Sequence, residues 1–257
     1  MASIRETRLF SPGGAPASAA THAGQGISET VDRVLLPDFL AIKDIQARKA
    51  AFFEFLKPLV QEENRRLLED RRRILDLAAW RNVDEPLRPR DRAWLEEMGE
   101  RYKVQTTLFQ APRSFFSQLL EAVDIIPVSL ALAQAADESA LGSSRLAKEG
   151  NNLFGQTCRA RGCGASSNRS GAVRMLRFDS IGESVRYYME NLNVNAAYQS
   201  MRSLRAQLRA KGSRLTGTAL GPGLERYSEL GHEYIRLILS KIRTDNLTRF
   251  DEAEWLP

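Results

Sequence analysis

Residues 130–155 read LALAQAADESALGSSRLAKEGNNLFG, and the interpretation of the whole chain depends on the change of pattern within them. The stretch continues an Ala-rich helix that we expect to begin at Pro127, because proline is tolerated in the first turn of a helix. We expect the helix to end at about Glu138, where a turn rich in Gly and Ser follows. A carboxylate therefore lies at the carboxyl end of a helix built from small residues.

Glu138 shares one face of the predicted helix with Ala131, Gln134 and Ala135, so a neighbouring helix or a sugar ring can approach that face closely. The negative end of the helix dipole disfavours ionisation of Glu138, and burial would act in the same direction. A carboxyl that keeps its proton near neutral pH can serve as a general acid, as glycoside cleavage requires. The alternative is an ordinary surface glutamate.

The remainder of the chain has a helical pattern with one interruption. Apolar residues recur at helical spacing from about residue 28 to residue 81, and Pro58 predicts a kink or a break there. Residues 155–180 are instead rich in Gly, Ser, Asn and Arg, and AVRMLRF (172–178) is their best strand candidate. The sequence therefore predicts a mainly α (α+β) fold with one small β-containing insertion.

Composition and charge set wider limits. The 257 residues are enough for one large domain or for one domain with an extension. No apolar run approaches the roughly 20 residues of a membrane-spanning helix. A net charge of +5 suits an anionic partner such as nucleic acid, anionic lipid or an acidic cell-wall polymer, and a solvated basic face is the alternative. We expect Arg71 to Arg73 to form such a solvated face.

The N-terminus and the cysteines add little. Residues 1–27 are rich in Ala, Gly, Ser and Pro, which predicts a disordered tail, and they lack the uninterrupted apolar stretch of a secretory signal. Cys158 and Cys163 are close enough for a small disulfide loop in an oxidising compartment, and two reduced thiols are the alternative. Two Cys and two His at these spacings do not supply a four-ligand zinc site, and we expect His232 on the surface.

Several ordered motifs resemble one enzyme family. The stretch AQAADESALGSSRLAKEGNNLFGQTC, followed by GCG, resembles the signature of the Bax-type glucosaminidases of glycoside hydrolase family 73. The segments KAAFFEFLKPLVQEENRRLLEDRRRIL, VDIIPVSLALAQAA, FDSIGESVRYYMENLNVNAAYQSMRSLRAQLRA and LERYSELGHEYIRLI resemble other parts of it, so that the resemblance covers roughly residues 28 to 247. It implies a lysozyme-like helical lobe, a small β-containing lobe and a cleft between them.

The resemblance also implies an activity. It divides the chain into a tail (1–27), an N-terminal helical region (28–112) and a glucosaminidase domain (113–250). Members of the family hydrolyse the β-1,4 bond between N-acetylglucosamine and N-acetylmuramic acid, with the general acid at the position of Glu138 and without a metal or organic cofactor. The implied partner is the glycan strand of peptidoglycan. That substrate places the protein in the cell envelope or periplasm and favours the Cys158–Cys163 bridge, although without a clear signal peptide a cytoplasmic location stays open.

Four further residues match family positions at which contact with substrate is expected: Ser139, Asn152, Gln156 and Tyr198. Ser139 either orients the Glu138 carboxyl or only caps the helix. Tyr198 either bonds the 2-acetamido group or the attacking water, or is a buried structural tyrosine.

The chain departs from the family in two ways. Ala140 and Leu141 stand where the family usually has Gly-Trp, and Thr157 stands where many members have an aromatic residue. In addition, residues 155–178 contain no Asp or Glu, so the second carboxylate of a typical glycosidase is not identified. Asp179 is expected to cap the next helix, and assistance by the substrate's own 2-acetamido group is the alternative to a second acid.

Three rival functions stay open at this point. The first is a catalytically silent protein that binds glycan in the envelope, which the missing tryptophan favours. The second is a lytic transglycosylase, which uses one glutamate in a similar cleft. The third is a helical nucleic-acid-binding protein, suggested only by the basic charge and lacking a recognition motif.

Overall fold

A computed structural model describes residues 35–80, 86–158, 165–166 and 174–254. The predicted disordered tail, residues 1–27, lies outside this set. The α-helices are α1 (Ile45–Trp80), α2 (Pro89–Arg101), α3 (Pro112–Ala122), α4 (Val128–Glu138), α5 (Arg145–Gly150), α6 (Ile181–Val194), α7 (Gln199–Ala210), α8 (Gly217–Leu220) and α9 (His232–Thr244). The strands are β1 (Thr157–Cys158), β2 (Ala165–Ser166) and β3 (Arg174–Met175), and 3-10 turns cover Phe39–Ala41, Ala196–Tyr198, Gly221–Leu224 and Leu247–Glu254.

The long helix α1 begins where the carboxylate of Asp44 accepts a hydrogen bond from the backbone nitrogen of Ala47 at 2.7 Å. It then runs without interruption through Pro58, so of the kink or break expected there the break is wrong. Proline removes one backbone hydrogen bond from a helix. The buried side chains of Leu56 and Val60 on either side of Pro58 hold the helix against the core despite that loss.

Of the three arginines expected to form a solvated face, Arg72 and Arg73 are exposed and Arg71 is not. The guanidinium of Arg71 donates to the carbonyl oxygen of Val123 at 2.9 Å. That of Arg73 lies 4.0 Å from the ring centroid of Trp94 and pairs with Asp91 at 3.0 Å. A charge run on a helix is solvated only where no other element covers it, and here the end of α3 covers Arg71 alone.

Helix α4 occupies the centre of the molecule. All of its residues from Val128 to Ala136 are buried, and α1, α8, α9 and the Leu247–Glu254 turn pack around it. The buried residues of α1 belong to the same hydrophobic core as those after residue 112. The predicted N-terminal helical region, residues 28–112, therefore contributes to the packing of the central helix.

The amino end of α4 is held by the C-terminal segment. The carboxylate of Asp251 accepts hydrogen bonds from the backbone nitrogen of Ser129 at 2.8 Å and from its hydroxyl at 2.6 Å. The backbone nitrogen of Gly217 donates to the same Ser129 hydroxyl at 3.0 Å. A carboxylate at this end also suits the positive end of the helix dipole.

A small antiparallel sheet completes the fold. The strand order is β1-β3-β2, with Thr157 opposite Met175 and Ser166 opposite Arg174. The strand predicted in residues 172–178 is present as β3. The predicted class, mainly α with a small β-containing part as in lysozyme-like proteins, is confirmed. Among the residues described, no helix is both long and apolar enough to cross a lipid bilayer.

Candidate active site

The carboxyl end of α4 carries the predicted acid. The helix ends at Glu138, as expected from the sequence. Three consecutive residues then adopt positive φ angles: Ala140 (+50°), Leu141 (+56°) and Gly142 (+74°). This left-handed backbone cannot continue a right-handed helix, and it turns the chain away immediately after the carboxylate.

Ser139 stabilises this turn. Its hydroxyl donates to the carbonyl oxygen of Ala135 at 2.6 Å and accepts from the backbone nitrogen of Gly142 at 2.8 Å. The side chain has no exposed surface. Of the two roles predicted for Ser139, the structure supports the helix cap, and it leaves the residue no surface for a sugar. Gly142 is constrained in addition because a Cβ there would lie 3.1 Å from the ring of Phe39.

The left-handed backbone of the turn predicts how stability changes when Ala140, which stands where the family usually has glycine, is replaced. Ala140 is exposed and left-handed, a conformation that costs a residue with a Cβ roughly 1–2 kcal/mol. Ala140→Gly should therefore stabilise the protein by about 0.5–1 kcal/mol, after allowance for the greater freedom of glycine in the unfolded chain. Ala50→Gly, at an exposed position inside α1, is the control and should cost about 1 kcal/mol. Thermal unfolding followed by circular dichroism measures both, and two changes of the same sign would contradict the assignment.

The Glu138 carboxyl lies among tyrosines. Glu138 is partly exposed as a residue, but its Oε1 atom is buried and has no hydrogen-bond partner among the described residues. Burial raises the pKa of four tyrosine hydroxyls, and the nearby charge of Glu138 raises each of them further; they are Tyr188, Tyr198, Tyr227 and Tyr234. Phenolic rings exclude water while their hydroxyls provide hydrogen bonds. The arrangement can therefore hold an acidic proton away from bulk solvent.

Burial, reinforced by the charge of the neighbouring Asp137 and opposed by the hydroxyl of Tyr234, raises the pKa of Glu138 to about 8. Asp137 points to α9, where it pairs with Lys241 at 3.2 Å. This pair limits the field that Asp137 exerts on Glu138. The carboxyl consequently keeps its proton at neutral pH, and of the two causes predicted, the helix end and burial, burial is the main one.

The raised pKa predicts how stability changes with pH. Below the ordinary value of 4.5 the carboxyl is protonated in both the folded and the unfolded chain. As pH rises toward 8 the unfolded chain ionises first, so the folded state loses stability relative to a variant without the carboxyl. Glu138→Gln should therefore become more stable than wild type between pH 5 and pH 9, by on the order of 2 kcal/mol when partial exposure is allowed for. Denaturant unfolding at several pH values measures the difference, and a constant difference would refute the raised pKa.

The NNLFGQ turn contains two of the predicted substrate-binding residues, and they differ in their hydrogen bonding. The carboxamide of Asn152 donates to the carbonyl oxygens of Gln156 at 2.8 Å and Leu176 at 2.9 Å, and it accepts from the backbone nitrogen of Gln156 at 2.9 Å. Asn152 is thus buried and fully used in joining this turn to the end of β3. The carboxamide of Gln156 is also buried, but neither of its polar atoms has a partner in the described part of the chain.

Tyr198, the fourth predicted contact, is brought to the acid from the Ala196–Tyr198 turn. Its ring lies 5.9 Å from that of Tyr227, and only 3% of the residue is exposed. Burial raises the pKa of its hydroxyl, a hydrogen bond with Asn191 lowers it, and Glu138 raises it. Tyr198 is therefore both a buried tyrosine and a neighbour of the acid, so the two roles predicted for it do not exclude each other.

Other candidate residues have structural roles. The helix cap predicted for Asp179 is wrong, because Ser180 is the N-cap of α6 and accepts from the backbone nitrogen of Glu183 at 3.0 Å. The carboxylate of Glu183 accepts from the backbone nitrogen of Asp179 at 2.7 Å. His232 is exposed, as expected. The described residues contain no group of three or more His, Cys, Asp or Glu side chains placed to hold a metal ion.

One cysteine can be followed in the structure. Cys158 in β1 is buried and disulfide-bonded. The only other cysteine in the sequence, Cys163, lies outside the described residues. The pairing of the two therefore stays a prediction.

Sequence reasoning missed several residues around Glu138. Tyr227 and Tyr234 come from the C-terminal part of the chain, and Lys241 reaches Asp137 from the same region. Gln134 was placed on the correct face of α4, but that face is covered by protein and not by a sugar, because Tyr234 contacts it. Tyrosines at helical spacing in the C-terminal segment were the available signal, and they are equally typical of an ordinary core.

Comparisons with known proteins identify a family. A family model for the glucosaminidase domain, described as mannosyl-glycoprotein endo-beta-N-acetylglucosaminidase, matches residues 113–236. Protein bax from Escherichia coli (strain K12) is 36% identical over 200 residues, which are 77% of this chain and 70% of that protein. No solved structure matches the chain.

Proposed function

The chain belongs to the Bax-type branch of the glucosaminidase family, and from this we propose that it hydrolyses the β-1,4 bond between N-acetylglucosamine and N-acetylmuramic acid in peptidoglycan. The observation that carries the proposal is the state of Glu138. Its pKa is raised to about 8 by burial, and its Oε1 atom has no partner in the described residues. Such a carboxyl can donate its proton to the leaving oxygen of a glycosidic bond.

The second catalytic group in this proposal comes from the substrate. Residues 155–178 contain no Asp or Glu, and Asp137 is paired with Lys241. We infer that the 2-acetamido oxygen of the sugar stabilises the positive charge that develops at the anomeric carbon. Gln156 and Tyr198 are the residues proposed to bind this acetamido group, since an amide side chain without a partner can pair with another amide. The Gln156 carboxamide is buried in the free protein, so this binding requires the turn around it to open.

The proposed partner is the peptidoglycan glycan strand, and the proposed location is the cell envelope or periplasm. A net charge of +5 favours association with a wall polymer that carries carboxylates. The proposal also retains residues 113–250 as the bounds of the glucosaminidase domain.

Digestion of purified sacculi tests the function. The soluble products are reduced with borohydride and analysed by mass spectrometry. The Glu138→Gln protein, purified in the same way, shows how much product comes from contaminating hydrolases of the expression host. The proposal requires fragments that end in a reducing N-acetylglucosamine. Fragments that end in 1,6-anhydro-N-acetylmuramic acid would instead identify a lytic transglycosylase.

A second candidate, a catalytically silent glycan-binding protein, is favoured by one observation. Ala140 and Leu141 replace the Gly-Trp of the family, and Leu141 packs against the core, so this turn offers no aromatic surface to a sugar. Absence of soluble products together with co-sedimentation of the protein with sacculi would establish this alternative.

A further inference from the structure

Three basic side chains lie on the surface along the segment that joins the acid to the NNLFGQ turn. Helix α5 begins shortly after the left-handed turn that follows Glu138, and it ends where the NNLFGQ turn begins. The side chains of Arg145 and Lys148 on this helix are 77% and 43% exposed, and that of Arg177, just after β3, is 54% exposed. We call Arg145, Lys148 and Arg177 the basic strip.

The carboxylates beside the basic strip leave its hydrogen-bond donors available. Oε2 of Glu149 lies 3.9 Å from Nε of Arg145 and 3.6 Å from Nη2 of Arg177. Oδ1 of Asp38 lies 3.7 Å from Nζ of Lys148. All three distances exceed the roughly 2.7–3.2 Å of an N–H···O hydrogen bond. Three cations thus share two carboxylates within the described part of the chain, and none of them is bound closely by either.

Backbone contacts hold the two ends of the basic strip on one surface. The backbone nitrogen of Phe178 donates to the carbonyl oxygen of Gly150 at 3.0 Å, and the side chain of Asn151 donates to the carbonyl oxygen of Phe178 at 3.0 Å. A Cβ at Gly150 would lie 3.1 Å from Cγ of Arg177. The missing side chain therefore lets Arg177 lie across the end of α5, and the strip does not depend on a mobile loop.

A structural role explains only part of the basic strip. A cation suits the negative, carboxyl end of a helix, which is where Lys148 and Arg177 lie. Arg145 is instead the first residue of α5, at the positive end, where a cation is unfavourable. Its distant pair with Glu149 joins two side chains that are both more than half exposed, and such pairs contribute little to stability. The position of Arg145 is therefore better explained by an external anion.

We propose that the basic strip binds carboxylates of the peptide stems carried by N-acetylmuramic acid and so anchors the glycan strand beside Glu138. This inference rests on the proposed function, since it takes peptidoglycan as the substrate. The sugar rings of the strand are uncharged, so the stems supply the anionic groups. Guanidinium groups bind carboxylates through two parallel hydrogen bonds, and exposed arginines can reach stems that project from a polymer.

Binding to sacculi tests the proposal without relying on catalysis. All proteins carry Glu138→Gln so that the polymer is not cut, and co-sedimentation gives the Kd. Arg145→Gln/Arg177→Gln should bind native sacculi about 10-fold more weakly, because two charge-assisted contacts are lost. The control is Arg236→Gln/Arg243→Gln on α9, which removes the same charge from exposed positions and should bind within about 2-fold. Thermal unfolding checks that each protein is folded.

Chemically modified sacculi identify the anion. When the carboxyls of the wall are converted to neutral amides with a carbodiimide and methylamine, the protein that retains both arginines should bind about 10-fold more weakly than it binds native sacculi. Arg145→Gln/Arg177→Gln should then lose no more than about 2-fold relative to it, since the partner of the strip is gone. Glu149→Gln, which frees both arginines from a carboxylate, should bind native sacculi up to about 2-fold more tightly.

Each contrary result overturns the proposal in a recognisable way. Equal losses in the strip variant and the α9 variant would mean that only the overall basic charge matters. Equal binding to native and amidated sacculi would assign the strip to another anion, such as a wall phosphate, and tighter binding to duplex DNA than to sacculi would assign it to nucleic acid. Strip-dependent binding by a chain whose wild type releases no products would support the strip and reject the proposed hydrolysis, so the two can fail separately.

Discussion

Glu138→Gln should lower the rate of glycan hydrolysis by about 10³-fold, because general acid catalysis contributes on the order of 10²–10⁴ in enzymes that use it. Glutamine has nearly the shape of a protonated glutamate, and the Glu138 carboxyl is mainly protonated at neutral pH because its pKa is raised to about 8 by burial. The exchange therefore removes the transferable proton and leaves the packing of α4 in place. Binding of the variant to sacculi should stay within about 3-fold of wild type, since a protonated carboxyl and an amide make similar hydrogen bonds.

The control is Glu149→Gln in α5. The side chain of Glu149 is 52% exposed and lies 3.6 Å from Arg177, a distance at which a surface ion pair contributes little. This variant loses the same charge about ten residues away and should retain activity within about 2-fold. Turnover is measured as reducing ends released from sacculi per unit time. Equal activity of the two variants would show that Glu138 takes no part in the reaction.

Arg205→Met should destabilise the protein by about 3–5 kcal/mol, the usual cost of breaking a buried charged pair. The Arg205 guanidinium is 1% exposed and donates to the Oδ1 of Asn193 at 2.7 Å. It also donates to four backbone carbonyl oxygens at 2.9–3.1 Å, those of Glu121, Ala122, Asp124 and Ile125. Methionine would fill much of the volume but remove this donor from all four oxygens, of which that of Asp124 keeps the bond from Nδ2 of Asn193 at 3.0 Å.

The loss of the positive charge of Arg205 adds to the destabilisation. Burial lowers the pKa of Arg205 to about 10, which still leaves the guanidinium charged at neutral pH, and Asp124 acts in the opposite direction. Burial would raise the pKa of Asp124, but Arg205 and its neighbours Arg71 and Arg209 hold it below its ordinary value. The loss of Arg205 therefore removes a positive charge that balances the carboxylate of Asp124, which is only 2% exposed.

Chemical denaturation measures the free energy of unfolding of Arg205→Met and so tests the predicted loss. Arg236→Met is the control, because the Arg236 side chain is 72% exposed and lies 3.7 Å from Glu233, so its loss should change stability by less than about 0.5 kcal/mol. Arg205→Lys should fall between the two, since lysine keeps the charge but has fewer donors in a less favourable geometry. Equal midpoints for Arg205→Met and Arg236→Met would show that the carbonyls find other partners. The carbonyls that Arg205 binds end α3 and lead into Pro127, so the variant should also lose activity.

The sequence by itself determined the local features of the site. The Ala-rich run, Pro127 and the Gly/Ser turn were sufficient to place the carboxyl end of a buried helix at Glu138, because helix starts, stops and faces depend on residues within a few positions of one another. The raised pKa of Glu138 was predicted from the helix end and from burial, but its main cause is burial, which the tertiary structure supplies. Ordered motifs over most of the chain identified the family and its fold class, and β3 lies in the stretch with the clearest alternation.

Only the tertiary structure decided which side chains surround the acid and which merely support it. Local patterns predicted a kink or a break at Pro58 and a solvated Arg71–Arg73 face. The helix is not broken and Arg71 is covered, because packing against distant elements outweighs local preference. Asn152 and Gln156 belong to one motif, yet only the fold shows that the first is fully bonded and the second is not. Several of the deciding hydrogen bonds join residues far apart in the sequence. Gln134 bonds Tyr188, 54 positions later, and Tyr234, 100 positions later. The bonds of Arg205 likewise join distant segments. Hydrogen bonds of that kind depend on how helices cross, and crossing is set by the core as a whole.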